Sequence, residues 1–149
     1  MKIAIGADHR GAVQKKFIQE AFEIRDNDIQ WVDVGCEASE PQCEYPKYAQ
    51  LVSEALQSKK VDAGVLLCGS GVGMAIAANR YKSIYAALVW NEETARLSKE
   101  HDNANILVIG SDFVSDKQAV VMIDTWLSAT FQGGRYQKRI EMINKLGGI

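Results

Sequence analysis

Short apolar runs alternate with amphipathic stretches along this chain. Ile3 to Gly6, Trp31 to Val34, Gly64 to Cys68, Ile84 to Trp90 and Asn105 to Gly110 read as strands. Helical patterns separate them, a rhythm that predicts βαβ units and a mostly parallel sheet covered on both faces. After the first strand, Val13, Phe17, Ala21 and Phe22 recur at helical spacing on one face, with Lys15, Lys16 and Glu20 elsewhere. Pro46 in Tyr45-Pro46-Lys47 suits the first turn of a helix reaching to about Ser58, because proline lacks only an N–H that would go unpaired there.

Two further helix starts carry capping signals. Asn91 followed by Glu92 and Glu93 predicts a helix near 91–101, and Ser115-Asp116-Lys117-Gln118 a capping box opening a helix near 115–130. Gly133-Gly134 breaks that helix. Beyond it Tyr136, Ile140, Ile143 and Gly147 predict a final short helix over about 135–147.

Composition narrows the class. With 149 residues and 47% apolar content, the chain has material for one core and reads as a single domain, 1–149. A net charge of -2 gives no general attraction to nucleic acid or to an anionic membrane. No apolar run approaches the roughly 20 residues of a membrane span, and the first residues lack signal-peptide character. The expected location is the cytoplasm. Three cysteines, at 36, 43 and 68, read as free thiols in a reducing compartment, Cys36 and Cys43 being structural and no metal site being completed around them.

In an open parallel sheet, ligands bind beyond the carboxyl ends of the strands, so the segments after strands hold the candidate chemistry. Gly6-Ala7-Asp8-His9-Arg10-Gly11 puts a carboxylate, an imidazole and a guanidinium into one turn, where Asp8 is either a helix cap or a ligand contact. Leu66-Leu67-Cys68-Gly69-Ser70-Gly71-Val72-Gly73-Met74 carries an apolar strand into alternating glycines and a helix start, a geometry that presents backbone N–H groups to an anion. It follows the third strand rather than the first and has no Lys-Ser/Thr pair, which argues against both nucleotide loops. Cys68 at its mouth is either a buried structural thiol or a base whose pKa the helix N-terminus lowers.

Glu100-His101-Asp102-Asn103-Ala104-Asn105 is either a helix C-cap, with Asn103 left-handed, or a second source of chemistry. Arg135 and Arg139 share one face of the last helix near its N-terminus, where the dipole disfavours cations. They are either a phosphate clamp or a carboxylate-paired surface.

Taken in order, Asp8-His9 with Gly11, Asp33 with Gly35, Tyr45-Pro46, Cys68 to Gly73, Ala77-Ala78-Asn79, His101 to Asn105, and Gly133-Gly134-Arg135 with Arg139 resemble the ribose-5-phosphate isomerase B family, which includes galactose-6-phosphate isomerase subunits. The resemblance implies a Rossmann-like three-layer α/β/α sandwich with a parallel five-stranded sheet, and an aldose–ketose isomerase of the pentose phosphate pathway without metal or organic cofactor. It implies Cys68 as the base between C2 and C1, His101 in ring opening, and Ser70 with Gly69, Gly71, Val72 and Gly73 around the enediolate. Asp8 and Asp102 would contact the sugar, and His9, Arg135 and Arg139 the phosphate. Sites would form between subunits of a homodimer or homotetramer. Met74 stands where another branch of the family carries a glutamate, which places the chain in the cysteine branch.

The chain departs from the pattern at Asp102, where many members have asparagine, and at Asp112, where many have a phosphate-binding arginine. Arg10 is expected to compensate for the second, or the ligand to sit differently. Galactose 6-phosphate, allose 6-phosphate or a tetrose phosphate is the alternative substrate to ribose 5-phosphate. A non-catalytic phosphosugar-binding module is the alternative of another class, and Cys68, Ser70 and His101 argue against it.

Overall fold

The computed structural model describes residues 1–25 and 28–147. Its elements are β1 (Lys2–Ala7), α1 (Ala12–Ile24), β2 (Gln30–Asp33), α2 (Tyr45–Gln57), β3 (Ala63–Cys68), α3 (Val72–Ala78), β4 (Ala86–Val89), α4 (Glu92–Glu100), β5 (Ile106–Gly110), α5 (Asp116–Ser128) and α6 (Arg135–Ile143). The strands form one parallel sheet in the order β2-β1-β3-β5-β4. This is the expected α/β/α sandwich.

Period-two alternation sends successive strand residues into different cores. Ile3, Ile5, Val65, Leu67, Leu107 and Ile109 meet Ile18 and Phe22 of α1, Ala95 of α4 and Ile123 and Trp126 of α5. Ala4, Leu66, Cys68, Ile106 and Val108 meet Tyr48, Ala49 and Val52 of α2 and Met74 and Ala78 of α3. Both faces of β3 are therefore buried, which is why its sequence shows a continuous apolar run.

The capping box forms as expected at Ser115, with Gln118; Asn91 caps its helix as expected and adds a box of its own, with Thr94 as the reciprocal partner. Three expectations shift. β4 starts at Ala86 rather than Ile84 because the Asn105 side chain takes Tyr85 N and Ser83 O out of a regular ladder, accepting from the first at 2.8 Å and donating to the second at 2.8 Å. The last helix ends at Ile143, four residues short of 147, with Asn144 as its C-cap and the Asn144 side chain accepting from the Tyr85 hydroxyl at 2.6 Å.

The third shift concerns α1. Its buried face holds Ala12, Gln14, Lys15, Ile18 and Phe22, whereas Val13 is 67% exposed. The helix is rotated from the face that apolarity alone predicts because Lys15 is turned inward, its ammonium donating to Asp33 Oδ1 at 2.8 Å. The same carboxylate oxygen accepts from Gly35 N at 2.9 Å, and Cys36 N then donates to Ala7 O at 2.8 Å. The buried charge fastens α1 to the end of β2, which these backbone bonds hold against β1. Among the described residues no helix is long and apolar enough to cross a membrane.

The Lys15–Asp33 pair makes an asymmetric prediction. Asp33→Ala strands a buried ammonium and is expected to lower stability by about 3 kcal/mol, while Lys15→Met, which removes the buried charge itself, is expected to lose less. Urea denaturation of the two variants checks the order.

Candidate active site

Chain order reverses at β1: the path goes outward to β2 and then returns past β1 to β3, so the carboxyl ends of β1 and β3 flank a switch point. Ala7 lies opposite Leu67, and Asp8 N donates to Leu67 O at 3.2 Å. Asp8 and Cys68 thus leave adjacent strands at the same level. On the other side of β3, Cys68 pairs with Gly110, and Ser111 N and Asp112 N donate to Cys68 O and Gly69 O at 2.8 and 3.0 Å.

Cys68 is 5% exposed, and its sulfur accepts from Gly71 N at 3.2 Å. The turn that delivers this amide needs glycine, since Gly71 has φ 78° and a Cβ there would lie 2.5 Å from the Leu88 side chain. Ser70 Oγ accepts from Val72 N at 3.2 Å, which orients the hydroxyl and leaves its own proton for another acceptor. Gly73 is needed for a different reason: a Cβ would come within 2.6 Å of the Tyr45 ring, which closes over the loop from the start of α2.

Electrostatics correct one expectation. Burial pushes the Cys68 thiol above its ordinary value; the amides of Met74 and Gly71 pull it down, the Asp8 carboxylate pushes it up, and the Ser70 amide pulls it down. The net direction is upward, so the helix N-terminus reduces the desolvation effect without reversing it. Tyr48 is raised as well, by burial first and then by Glu40 and Asp8. Asp8 itself is 6% exposed, and its Oδ1 accepts from Arg10 N at 3.0 Å and Gly11 N at 3.2 Å. It caps its turn and also projects its charge on Cys68.

His9 is exposed, and its Nδ1 accepts from Cys43 N at 3.3 Å. That contact depends on a pairing the cysteine pattern did not predict. Cys36 and Cys43 form a disulfide, with Cα atoms 6.3 Å apart, instead of remaining two separate thiols. The reason is the fold: Cys36 is pinned to β1 through Ala7 O, and the loop before α2 must turn back over it. Glu40 lies in the same cluster, but sulfurs bonded to each other are not free to ligate a metal. Cys68 is the free cysteine.

Arg10 projects across the loop to form an ion pair with Asp112. Its guanidinium lies against Gly69, where a Cβ would meet Nε at 2.8 Å and the Asp112 carboxylate at 3.0 Å. The charge of Asp112 is thereby balanced at the rim of the Cys68 loop.

The remaining candidates are elsewhere. α4 starts beyond the carboxyl end of β4 and runs back about 13 Å over its nine residues, leaving His101 as its C-cap at the amino-terminal edge of the sheet. His101 N donates to Leu97 O at 2.9 Å, and Asn103 is left-handed at φ 50°, so the C-cap reading of this segment holds. Asp102 is exposed on the turn and shares a concavity with Asn79, Tyr85, Ile140 and Ile143. Ile140 and Ile143 bring α6 to the same concavity, and the segment before it is tied to α4 by Gln132 N donating to Glu100 O at 3.0 Å.

Arg135 and Arg139 lie near Tyr136, with guanidinium carbons 4.9 and 5.5 Å from its ring centroid. Among the ion pairs of the described residues neither arginine takes part. Within one chain, then, Asp8, His9 and the Cys68 loop stand at one end of the sheet, and His101, Asp102, Arg135 and Arg139 at the other. The length of β3, on the order of 16 Å, separates them. A concavity of about 530 Å³ lined by Leu56, Lys82, Ile84 and Asn105 also lies at the amino-terminal end and does not include Cys68.

Pattern reading missed Tyr45, Tyr48 and Tyr136 as site residues. Proline in the first turn of α2 located the helix start that carries Tyr45, but nothing local indicated what the ring would cover.

A family model described as Ribose/Galactose Isomerase matches residues 3–143. The probable ribose-5-phosphate isomerase B of Mycoplasma genitalium is 41% identical over 95% of this chain and 92% of its own. Among solved structures, ribose-5-phosphate isomerase B of Clostridium thermocellum superposes with a TM-score of 0.92 at 39% identity, covering 98% of this chain and 97% of that one. The Mycoplasma genitalium enzyme with bound ribulose 5-phosphate gives 0.89 at 40%, covering 97% and 94%.

The upward displacement of the Cys68 thiol has a measurable sign. Alkylation by iodoacetamide, read against Cys68→Ser as the blank, is expected to be slow at neutral pH and to climb as pH rises past the ordinary thiol value. A rate already at its plateau at neutral pH would contradict it.

Proposed function

This chain belongs to the ribose/galactose isomerase family, and we propose that it interconverts ribose 5-phosphate and ribulose 5-phosphate through an enediolate, with Cys68 as the base. The observation that carries this reading is the Cys68 thiol, buried at the β1/β3 switch point and held by an inward-facing amide of its own glycine loop. Deprotonated Cys68 takes the C2 proton of the open-chain aldose and returns it to C1, while the proton on the C2 hydroxyl passes to the C1 oxygen. The Ser70 hydroxyl and the amides from Gly69 to Gly73 face the charge that develops on those oxygens. Because burial raises the thiol pKa, only a minor fraction is thiolate at neutral pH, and turnover is expected to draw on that fraction.

Ring opening is assigned to His101, with Asp8 and Asp102 contacting the sugar hydroxyls. The phosphate is assigned to His9, Arg135 and Arg139, the two arginines, which have no carboxylate partner among the described residues, supplying most of the charge. Since these groups stand at opposite ends of one sheet, the reading requires a second copy: the carboxyl-end groups of one chain meet the amino-end groups of its partner. Val72 and Ile76, 48% and 64% exposed on α3 beside the loop, supply apolar surface for that contact. The working unit is a homodimer or a pair of homodimers in the cytoplasm, each chain a single domain over 1–149 whose α6 serves the neighbouring site.

Complementation tests the split site. Cys68→Ser and His101→Asn are each expected to be nearly inactive on ribose 5-phosphate, while dissociating and reassembling the two together restores roughly a quarter of wild-type turnover, because half the dimers are mixed and each has one intact site. No recovery would mean that one chain supplies both residues. Equal activity of Cys68→Ser and wild type would remove Cys68 as the base.

Arg10 is the specific test of the phosphate end. Removing it leaves Asp112 uncompensated, and Arg10→Ala is expected to raise KM for sugar phosphates roughly tenfold. An unchanged KM removes Arg10 from binding. Kinetics across pentose, hexose and tetrose phosphates identify the preferred chain length, the galactose members of the family making a hexose phosphate the alternative.

A further inference from the structure

The His101 imidazole has no side-chain hydrogen bond among the described residues, although a histidine that must direct a proton is ordinarily oriented by a bond to its other ring nitrogen. What holds it is a ring. Tyr136 stacks on His101 with centroids 4.2 Å apart and planes only 8° from parallel. Tyr136 is 9% exposed, so its own position is set by packing. Its hydroxyl accepts from Arg135 Nη2 at 2.9 Å, and the Arg135 and Arg139 guanidiniums both lie within cation–π range of the ring.

We infer that Tyr136 is a positioning residue that joins the ring-opening histidine and the phosphate-binding arginines into one rigid unit. The inference rests on the roles given above to His101, Arg135 and Arg139. The ring fixes the plane of the imidazole. The hydroxyl and π-face hold two like charges that would otherwise repel across one helical turn. The separation between the bound phosphate and the group that opens the sugar ring then becomes a property of this one side chain and is set before substrate arrives.

The two functions of Tyr136 separate by substitution. Tyr136→Phe keeps the stack and loses the hydroxyl, so KM for ribose 5-phosphate is expected to rise about fivefold with kcat near wild type. Tyr136→Leu loses the stack, and conversion of ribose 5-phosphate is expected to fall on the order of tenfold or more. A second readout removes ring opening altogether. Ribulose 5-phosphate carries its phosphate on O5 and cannot close a five-membered ring, so exchange of its C1 proton with D2O, followed by NMR, needs Cys68 but not His101.

With Tyr136→Leu folded by circular dichroism, KM for ribulose 5-phosphate is expected to rise at least as much as for Tyr136→Phe. The maximal exchange rate at saturating ribulose 5-phosphate is expected to stay within about twofold of wild type, while maximal conversion of ribose 5-phosphate collapses. An equal fall in exchange and conversion, or no fall in either, overturns the inference. If Tyr136→Leu does not fold, Tyr136→Phe decides alone: an unchanged KM overturns it. A wild-type protein that neither converts ribose 5-phosphate nor exchanges the proton refutes ribose 5-phosphate as the substrate instead, so the two failures are distinct.

Discussion

Parallel register is the constraint on which the rest of this structure depends. When every strand points the same way, all strand carboxyl ends gather on one edge of the sheet, and every crossover helix ends at the other. The turns after β1, β3 and β5 therefore meet, which brings Asp8, Cys68 and Asp112 together from positions as many as 104 residues apart in sequence. The same rule sends His101, at the end of α4, to the opposite edge. A chain of this topology does not fold both groups of chemistry into one intramolecular cleft, and Val72 and Ile76 of α3 lie exposed next to the Cys68 loop.

Charge at the carboxyl edge is arranged in opposing pairs. Asp8 raises the thiol beside it, the amides of Ser70 and Gly71 in the loop and of Met74 in α3 lower it, and burial decides the sign. Asp112, an anion in a place that would receive an anionic ligand, is neutralised by Arg10 from the neighbouring turn. The guanidinium retains other N–H groups beyond the one Asp112 occupies, so it can bridge a carboxylate and a phosphate at once.

Side chains at the two edges of the sheet are held by different means. Near the carboxyl edge, the Lys15–Asp33 pair and the Cys36–Cys43 disulfide tie the loop before α2 to β1, and Cys43 in turn meets His9. At the amino edge, aromatic stacking and cation–π contacts do the same for His101 and the arginine pair. Neither device is part of the sandwich core. Each acts on side chains that the core alone would leave free to rotate.

Local chemistry determined the elements and much of the candidate site. Apolar runs of strand length, capping boxes at Asn91 and Ser115, proline in the first turn of α2 and glycine after β3 are short-range signals, and each produced the element it indicated within a few residues. The thiol in the glycine loop and the arginine pair were visible for the same reason. Tertiary structure decided what depends on distant partners. Lys15 is buried because Asp33 waits beneath it, Cys36 meets Cys43 because β1 pins one of them, and Arg10 is paired because β5 delivers Asp112. Tyr136 lies on His101 because α6 returns to the end of α4. Periodicity describes the face a residue shares, not the neighbour that another element brings to it, and so the separation of the site into two ends became legible only once the strands were in register.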